Sequence, residues 1–304
     1  MLDKMLENVR KKSPLIHNIT NYVTVNDCAN ITIACGAAPI MADDDGEVAE
    51  ITGICAGLNI NIGTLNSRTI KAMLIAGKTA NELKHPVVLD PVGVGVSKLR
   101  TDTAKKLLEE VKFAAIRGNI SEIKTLAAGV GLAEKGSLAE KESLAEKRCL
   151  AEKGSFAEKG TLAPKGVDAN TSDKVTKENL AAAVSFAKDF SAKTGAVIAI
   201  TGAIDIVADS SKAYCIYNGH PDMFSITGTG CQLSSLTAAF VTANPDSPLE
   251  ATAAAVAAMG YAGEIAHERL TPLDGNSTYR NYIIDAIYNM TPEMLAKGAK
   301  YEVR

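Results

Sequence analysis

Short apolar runs that end abruptly in glycine or polar residues recur along this chain of 304 residues. Helical patterns lie between them, for example over residues 103–110 and 179–190. Strands that alternate with helices imply a parallel sheet that is covered by helices. We therefore predict an α/β fold with a mainly parallel central sheet flanked by helices. The predicted strands cover residues 58–62, 87–89, 113–116 and 197–200.

Three polar side chains stand where these predicted strands end. Asp90, Arg117 and Thr201 are far apart in the sequence, yet each follows an apolar run. In parallel α/β sheets, ligands bind outside the carboxyl ends of the strands. The pattern therefore predicts that these three residues converge on one ligand site.

A glycine-rich turn that leads into a helix is the strongest local signal. Ile226-Thr-Gly228-Thr-Gly230-Cys231 is followed by apolar residues at helical spacing. Unobstructed backbone amides at a helix start can hold a phosphate group, although a tight turn before a helix explains the same pattern. Cys231 lies in the first helical turn, where the helix dipole would lower the pKa of its thiol. A small buried residue at a helix start is the alternative for Cys231.

Other candidate residues each have two interpretations. Asp90 can hold magnesium or cap a turn, and Glu122 can be a second carboxylate on the metal side or complete a capping box with Asn119. Arg117 can bind a triphosphate or lie on the surface. Met41 can line a pocket for a small heteroaromatic ring or belong to the core. We expect a structural role for His17; the other histidines, His85, His220 and His267, show no metal-ligand spacing with it.

Helices are predicted at both ends of the chain. Residues 1–12 form an amphipathic stretch without the apolar core of a secretory signal. Ser247-Pro-Leu-Glu250 reads as a capping box with proline at the first helical position, and it would open an alanine-rich helix that extends to about Arg269. A last helix with Tyr282 and Ile283 on one face would close the chain.

A hexapeptide repeat interrupts the predicted domain. Six units that resemble Leu-Ala-Glu-Lys-Gly-Ser cover residues 132–167. A period of six distributes the leucines around a helix, so it builds no apolar stripe. A left-handed β-helix would need small residues at the fifth place, where Glu142 and Arg148 occur. We therefore predict one domain over residues 1–304, with a solvated, low-complexity insertion at about 132–166.

Composition excludes several classes of protein. The chain has 32 Lys and Arg against 35 Asp and Glu, so its net charge of −3 gives no basic surface for nucleic acid. Tryptophan is absent and aromatic residues make up 5%, which disfavours base-stacking platforms. Six scattered cysteines indicate reduced thiols of a cytoplasmic protein. No apolar run is long enough to span a membrane.

Several motifs together resemble the hydroxyethylthiazole kinase family. They occur in family order along nearly the whole chain outside the repeat, and jointly they are very specific. The first four are His17-Asn-Ile-Thr-Asn21-Tyr-Val-Thr-Val-Asn26-Asp-Cys-Ala-Asn30, Gly36-Ala-Ala-Pro39-Ile-Met41-Ala-Asp43, Leu58-Asn-Ile-Asn-Ile-Gly63-Thr-Leu and Val88-Leu-Asp90-Pro-Val-Gly93-Val-Gly95. The others are Arg117-Gly-Asn119-x-x-Glu122, Ile226-Thr-Gly-Thr-Gly-Cys231 and Ile284-Asp-Ala-Ile-Tyr288.

The resemblance implies a ribokinase-like fold without a lid domain. It also implies a cytoplasmic homotrimer with active sites between subunits, and ATP-dependent phosphorylation of 4-methyl-5-(2-hydroxyethyl)thiazole, a salvage step towards thiamine. No nucleic acid or membrane partner is expected.

By the same resemblance, each candidate residue acquires a role. Arg117 and Thr201 would contact ATP, while Met41 and Gly228 would contact the thiazole, with Asn21 reaching a neighbouring subunit's site. Asp90 and Glu122 would lie on the magnesium side. Cys231 replaces the catalytic Asp of the wider superfamily, as is usual among thiazole kinases, and would act as a weak base or a spacer. The repeat follows Glu122 closely in sequence, so it is expected near the nucleotide side.

Two other functions remain possible from the sequence. One is an ATP- or ADP-dependent repair dehydratase of the same fold that acts on hydrated nicotinamide cofactors. The other is a nucleotide-binding or assembly protein without catalytic activity, in which the repeat is the functional part. The N-terminal thiazole-type motif argues against the first, and the intact Asp90, Arg117 and Glu122 argue against the second.

Overall fold

Nine strands form one sheet in this computed structural model, which describes residues 2–132 and 175–304. The strand order is β2-β1-β3-β4-β5-β6-β7-β8-β9. The strands are β1 (Leu15–Ile19), β2 (Ala38–Met41), β3 (Gly57–Asn61), β4 (Val87–Asp90), β5 (Ala115–Asn119), β6 (Val197–Thr201), β7 (Asp205–Ala208), β8 (Ala213–Ile216) and β9 (Tyr301–Val303).

The first six strands are parallel to one another, and the last three join them antiparallel. The predicted mainly parallel sheet is therefore confirmed. Strands β3, β4 and β6 lie close to their predicted bounds, whereas β5 begins at Ala115 instead of Phe113 and continues through Arg117 to Asn119. All strands of the described residues belong to this one sheet, so residues 2–132 and 175–304 contain no separate lid sheet.

Eleven α-helices accompany the sheet in the same described ranges. They are α1 (Leu2–Lys12), α2 (Val25–Ala34), α3 (Val48–Ile54), α4 (Ser67–Glu82), α5 (Lys98–Glu110), α6 (Ile120–Gly129), α7 (Leu180–Thr194), α8 (Thr229–Ala243), α9 (Pro248–Glu268), α10 (Asn276–Asn289) and α11 (Pro292–Gly298). A 3₁₀ turn covers Pro221–Ser225. None of these helices is long and apolar enough to cross a membrane.

Two apolar clusters lie on the two faces of the sheet. Along β4, Val88 belongs to one cluster while Val87 and Leu89 belong to the other, because successive side chains of a strand point to opposite faces. Helices α1, α2, α8, α9 and α10 supply the first cluster, and α4 to α7 supply the second. Helix α8 is buried on nearly all sides, as expected for a helix that crosses the centre of a domain.

Predictions for the chain ends are confirmed in part. The apolar residues of α1 are buried, as its pattern indicated. Helix α9 has nearly the predicted bounds, but Ser247 makes no side-chain cap. Glu250 instead accepts a hydrogen bond from Lys212 Nζ at 2.8 Å, so a tertiary ion pair replaces the predicted capping box. The predicted last helix, α10, does not close the chain, since α11 and β9 follow it.

The insertion predicted at about 132–166 lies outside the described residues, except for Leu132. The five described cysteines are free and buried, and Cys149 also lies outside the described ranges.

Candidate active site

The carboxyl ends of the parallel strands bring together polar side chains from distant parts of the sequence. The register places Asn61 beside Asp90, and Asn119 beside Thr201. Arg117, on β5 between these pairs, lies within 3.7 Å of Asp90 Oδ1 and donates to Thr201 Oγ1 at 2.7 Å. The predicted convergence of Asp90, Arg117 and Thr201 is therefore confirmed.

Asp90 is completely buried, and its two oxygens differ in their contacts. Oδ2 accepts hydrogen bonds from Asn61 Nδ2 and Ser234 Oγ, both at 2.8 Å. Oδ1 is buried without a hydrogen-bond partner among the described residues, although the Arg117 guanidinium is near. Burial raises the pKa of the Asp90 carboxyl, while Arg117, Ser234 and Asn61 oppose that rise. An unpartnered carboxylate oxygen in such a place suits a cation or a charged ligand.

Arg117 is a buried part of this site and not a surface residue. Only 13% of its side chain is exposed, and its Nε has no hydrogen-bond partner in the described part of the chain. A Cβ atom added at Gly230 would lie 2.4 Å from Arg117 Nη1. The guanidinium is therefore held between the end of the sheet and the glycine turn, where it can donate to an anion.

Glu122 combines the two roles that the sequence left open. Its Oε2 accepts from the backbone amide of Asn119, and the Asn119 side chain accepts from the amide of Glu122, which completes the capping box of α6. Its Oε1 accepts from the amide of Gly93 at 2.8 Å, so it also fixes the turn that follows Asp90. Burial, and then the charge of Asp90, raise the pKa of Glu122.

The glycine turn begins α8 with a backbone that requires glycine. Gly228 has φ of +85°, which side chains rarely tolerate, and a Cβ there would lie 2.2 Å from Thr24 Cγ2. The amides that follow belong to the first turn of α8, where they lack partners within the helix. The start of a 15-residue helix therefore faces the end of the sheet, and this arrangement can hold an anion.

The Cys231 thiol lies at the first turn of α8, but its pKa does not fall. Burial, and then the negative charge of Asp90, raise the pKa of Cys231 to about 12. The prediction that the helix dipole lowers this pKa is therefore wrong, because desolvation and a nearby carboxylate outweigh the dipole. The side chain of Asn21 donates to the sulfur at 3.1 Å.

Asn21 and Met41 lie in different parts of the site region. Asn21 is buried and donates to Asn61 Oδ1 at 3.1 Å as well as to Cys231, so its side chain serves the site of its own chain. That Asn21 also reaches a neighbouring subunit's site stays a prediction. Met41 ends the edge strand β2, three strands from Asp90, or roughly 14 Å at a strand spacing of about 4.8 Å.

The sequence interpretation assigned no role to several polar residues of the site. Asn61 and Ser234 hold Asp90, and behind them Ser235 and Asn59 both donate to Asn18 Oδ1. The signal was present, because asparagines at 59 and 61 interrupt an apolar strand that is buried along its whole length. His17 is structural, as predicted. Its Nδ1 lies 2.9 Å from Thr52 Oγ1, and its Nε2 lies 2.9 Å from the backbone oxygen of Ala42.

The carboxylates fit a magnesium ion in part. Asp90 offers an unpartnered oxygen, and Mg²⁺ prefers oxygen ligands. Both oxygens of Glu122 already accept backbone amides, so Glu122 fits better as a residue that positions the 90–93 turn than as a direct ligand.

Comparison with known sequences shows one family. A profile of the hydroxyethylthiazole kinase family matches residues 6–155 and 129–293. A hydroxyethylthiazole kinase of Clostridium acetobutylicum is 61% identical over 302 residues, which cover 99% of both chains. One from Clostridium tetani is 44% identical over 285 residues, covering 94% of this chain and 91% of that protein.

Two solved structures share the fold of this chain, and one of them is also similar in sequence. A hydroxyethylthiazole kinase from Pyrococcus horikoshii OT3 superposes with a TM-score of 0.77 at 30% identity, covering 100% of this chain and 98% of that one. A ribokinase-like superfamily protein from Enterococcus faecalis has a TM-score of 0.56 at 11% identity, with 97% and 89% of the chains covered. The latter likeness shows the ribokinase-like fold alone. By profile, sequence identity and fold together, this chain belongs to the hydroxyethylthiazole kinase family.

Proposed function

We propose that this protein uses ATP to phosphorylate the primary hydroxyl of 4-methyl-5-(2-hydroxyethyl)thiazole, a salvage step of thiamine biosynthesis. The observation that carries the proposal is the placement of Arg117. Its guanidinium lies beside Asp90, Thr201 and Gly230, so one buried cation faces both the end of the sheet and the glycine turn. A phosphoryl group in transfer needs such positioning and charge neutralisation more than it needs covalent help.

The nucleotide would lie along the ends of β4, β5 and β6. Arg117 and Thr201 would contact its phosphates, and Asp90 Oδ1 would hold Mg²⁺, with Glu122 fixing the turn beside it. Bound Mg²⁺ would neutralise part of the charge on the phosphate oxygens. The amides from Gly228 to Cys231 would donate to the phosphoryl group during its transfer, because they begin a helix and glycines leave them accessible.

The thiazole would lie on the other side of the glycine turn. Met41, Gly228 and Asn21 would line its pocket, and Cys231 would stand near the attacking hydroxyl. A thiol with a pKa of about 12 stays protonated at neutral pH, which supports a spacer and not a base. The loose transition state of phosphoryl transfer tolerates this, since it develops little need for a strong base.

The oligomeric state and the cellular location are also proposed from the family resemblance. Exposed apolar side chains surround the segment that carries Asn21: Tyr22 is 58% exposed, Val23 67% and, on α2, Ile33 54%. Such side chains favour burial against another subunit, which supports a homotrimer with sites near its interfaces. We also propose that the protein acts in the cytoplasm.

The substrate assignment is tested by comparing three small alcohols with ATP and Mg²⁺. Turnover of hydroxyethylthiazole should far exceed that of pyridoxal and of hydroxymethylpyrimidine, as measured by ADP release and by mass spectrometry of the product. Equal or faster turnover of either competitor would reject the assignment. Asp90→Asn protein that is purified identically serves as the control for contaminating kinases. Light scattering of the unmodified protein tests whether it is a trimer.

A further inference from the structure

A cluster of two histidines and one aspartate lies outside the residues assigned to phosphoryl transfer. His220 precedes the 3₁₀ turn Pro221–Ser225, Asp222 lies in that turn, and His267 lies in the last turn of α9. One potential ligand atom from each residue lies within 4.8 Å of the other two. The sequence showed no ligand spacing here because His220 and His267 are 47 positions apart along the chain.

The contacts within this His-Asp-His cluster leave ring nitrogens poorly satisfied. His267 Nδ1 lies 3.3 Å from Asp222 Oδ2, yet it is buried and makes no hydrogen bond to any described residue. His220 Nδ1 accepts a long hydrogen bond, 3.2 Å, from the amide of Asp222. The two imidazole rings stack with their centroids 3.5 Å apart. The cluster therefore brings two imidazoles and a carboxylate together with few hydrogen bonds to the rest of the described chain.

Neutral imidazole nitrogens and a carboxylate are the ligands that Zn²⁺ and similar ions prefer. Ligands bound at about 2.1 Å in a tetrahedral site lie roughly 3.4 Å apart, so small side-chain rotations would close this cluster around one ion. The side chains of His220, His267 and Asp222 are 32%, 36% and 56% exposed, so an ion can enter from solvent. Three protein ligands leave a fourth position for water.

We propose that His220, Asp222 and His267 bind one divalent transition-metal ion, such as Zn²⁺, at a site separate from that for Mg²⁺-ATP. The ion would join the 3₁₀ turn to the end of α9. Because this turn leads directly into Thr227 and Gly228, the bound ion would restrain the segment that enters the glycine turn.

The proposal is tested by titrating the full-length chain with Zn²⁺ against a chromophoric chelator. The Cys149→Ser chain is the reference, because Cys149 lies outside the described residues and a free thiolate also binds zinc. Excess Mg²⁺ keeps oxygen-rich sites filled. We expect one Zn²⁺ per chain, with affinity that falls in acid because the ligands must lose their protons to bind the ion.

Variants of single ligands identify the site. His220→Gln, His267→Gln and Asp222→Asn should each weaken binding by roughly tenfold or more, whereas His85→Gln, a histidine elsewhere, should leave it unchanged. Circular dichroism confirms that each variant folds. The visible spectrum of bound Co²⁺ gives an independent readout, since it should report nitrogen ligands in the reference chain and change in both histidine variants. Absence of stoichiometric binding, or binding that survives both histidine substitutions, would overturn the proposal.

Discussion

At the scale of single residues, the Cys231 thiol is subject to two opposing influences. The start of α8 favours a thiolate, while burial and the neighbouring Asp90 favour the thiol, and the second influence raises the pKa to about 12. Asn21 donates to the sulfur, so the thiol is also held in place. Its position beside the glycine turn therefore does not imply that it takes the hydroxyl proton.

We predict that Cys231→Ala retains much of the turnover and that Cys231→Asp equals or exceeds it, since a carboxylate can accept a proton near neutral pH. The thiol form is complete well below a pKa of about 12 and is lost only as pH rises through that value. The pH profile of kcat should therefore show no thiolate limb between pH 6 and 9 when wild type and Cys231→Ala are compared. Complete loss of turnover in both folded variants would assign catalysis to the thiol.

Substitution of the charged residues of the site should lower the activity more than the stability of the protein. Asp90→Asn and Arg117→Ala should each lower kcat/KM by roughly a hundredfold, since one well-placed electrostatic group contributes on the order of 3 kcal/mol to transition-state binding. Asp285→Asn is the matched control, because Asp285 forms an exposed ion pair with Arg269. Near-normal kcat/KM per folded molecule in the first two variants would reduce these residues to structural roles.

Glu122→Ala should lose stability as well as activity. It removes the reciprocal half of the capping box of α6, worth about 1 kcal/mol, and frees the amide of Gly93. Thermal unfolding measured beside kinetics distinguishes Glu122 from Arg117, whose replacement should affect the rate more than the melting temperature.

At the scale of elements, α8 connects the core to the site. It packs over β3 so closely that a Cβ added at Gly57 would lie 2.0 Å from Thr242 Oγ1, and its start carries the glycine turn. Ser234, one turn into the helix, donates to Asp90. A rigid, buried helix therefore fixes the distance between the turn and the charged residues.

Gly230→Ala should dissociate stability from function. Alanine is favoured over glycine in a helix by about 1 kcal/mol, but its Cβ would displace the Arg117 guanidinium. We expect an unchanged or raised melting temperature with a loss of kcat/KM close to that of Arg117→Ala. The double variant should lose little more, because both changes remove the same interaction.

Gly53→Ala is the matched control for this experiment. Gly53 is a glycine of α3 with no atom within 4 Å of its added Cβ. Its substitution should raise the melting temperature slightly without changing turnover. If Gly230→Ala behaved in the same way, Arg117 would not need its observed position.

At the scale of the whole molecule, the two ends of the segment 133–174 pack against the same apolar cluster. Leu132 and Val175 both contact the cluster that α4 to α7 supply. Val130 lines a cavity with Phe113 and Ala196, which precede β5 and β6, so the chain leaves the described domain at the edge opposite to Asn119 and Thr201. The expectation that the repeat lies near the nucleotide side concerns residues outside the described ranges and stays a prediction.

Replacing residues 132–166 by a short Gly-Ser linker should leave the proposed trimer and the turnover largely intact. We expect this because the 35 residues hold six Glu, six Lys and one Arg, a composition that predicts too little apolar burial to offset the entropy of ordering them. Light scattering and the KM for ATP are the measurements, and a lost trimer or a steeply raised KM would show that the insertion is part of the functional unit.

The sequence alone indicated the alternation of strands and helices, the family, and the meeting of Asp90, Arg117 and Thr201 at one edge of the sheet. Apolar period and turn residues are local, so they indicate where β4 ends and where α8 begins, and they place Asp90 and Gly228 there. Only the tertiary structure decided which interactions those residues make. The Glu250 ion pair with Lys212, the raised pKa of Cys231 and the meeting of His220 with His267 depend on neighbours far away in the chain. Burial and charge act between residues that are close in space, so local sequence patterns do not show which distant residues will become neighbours in the folded chain.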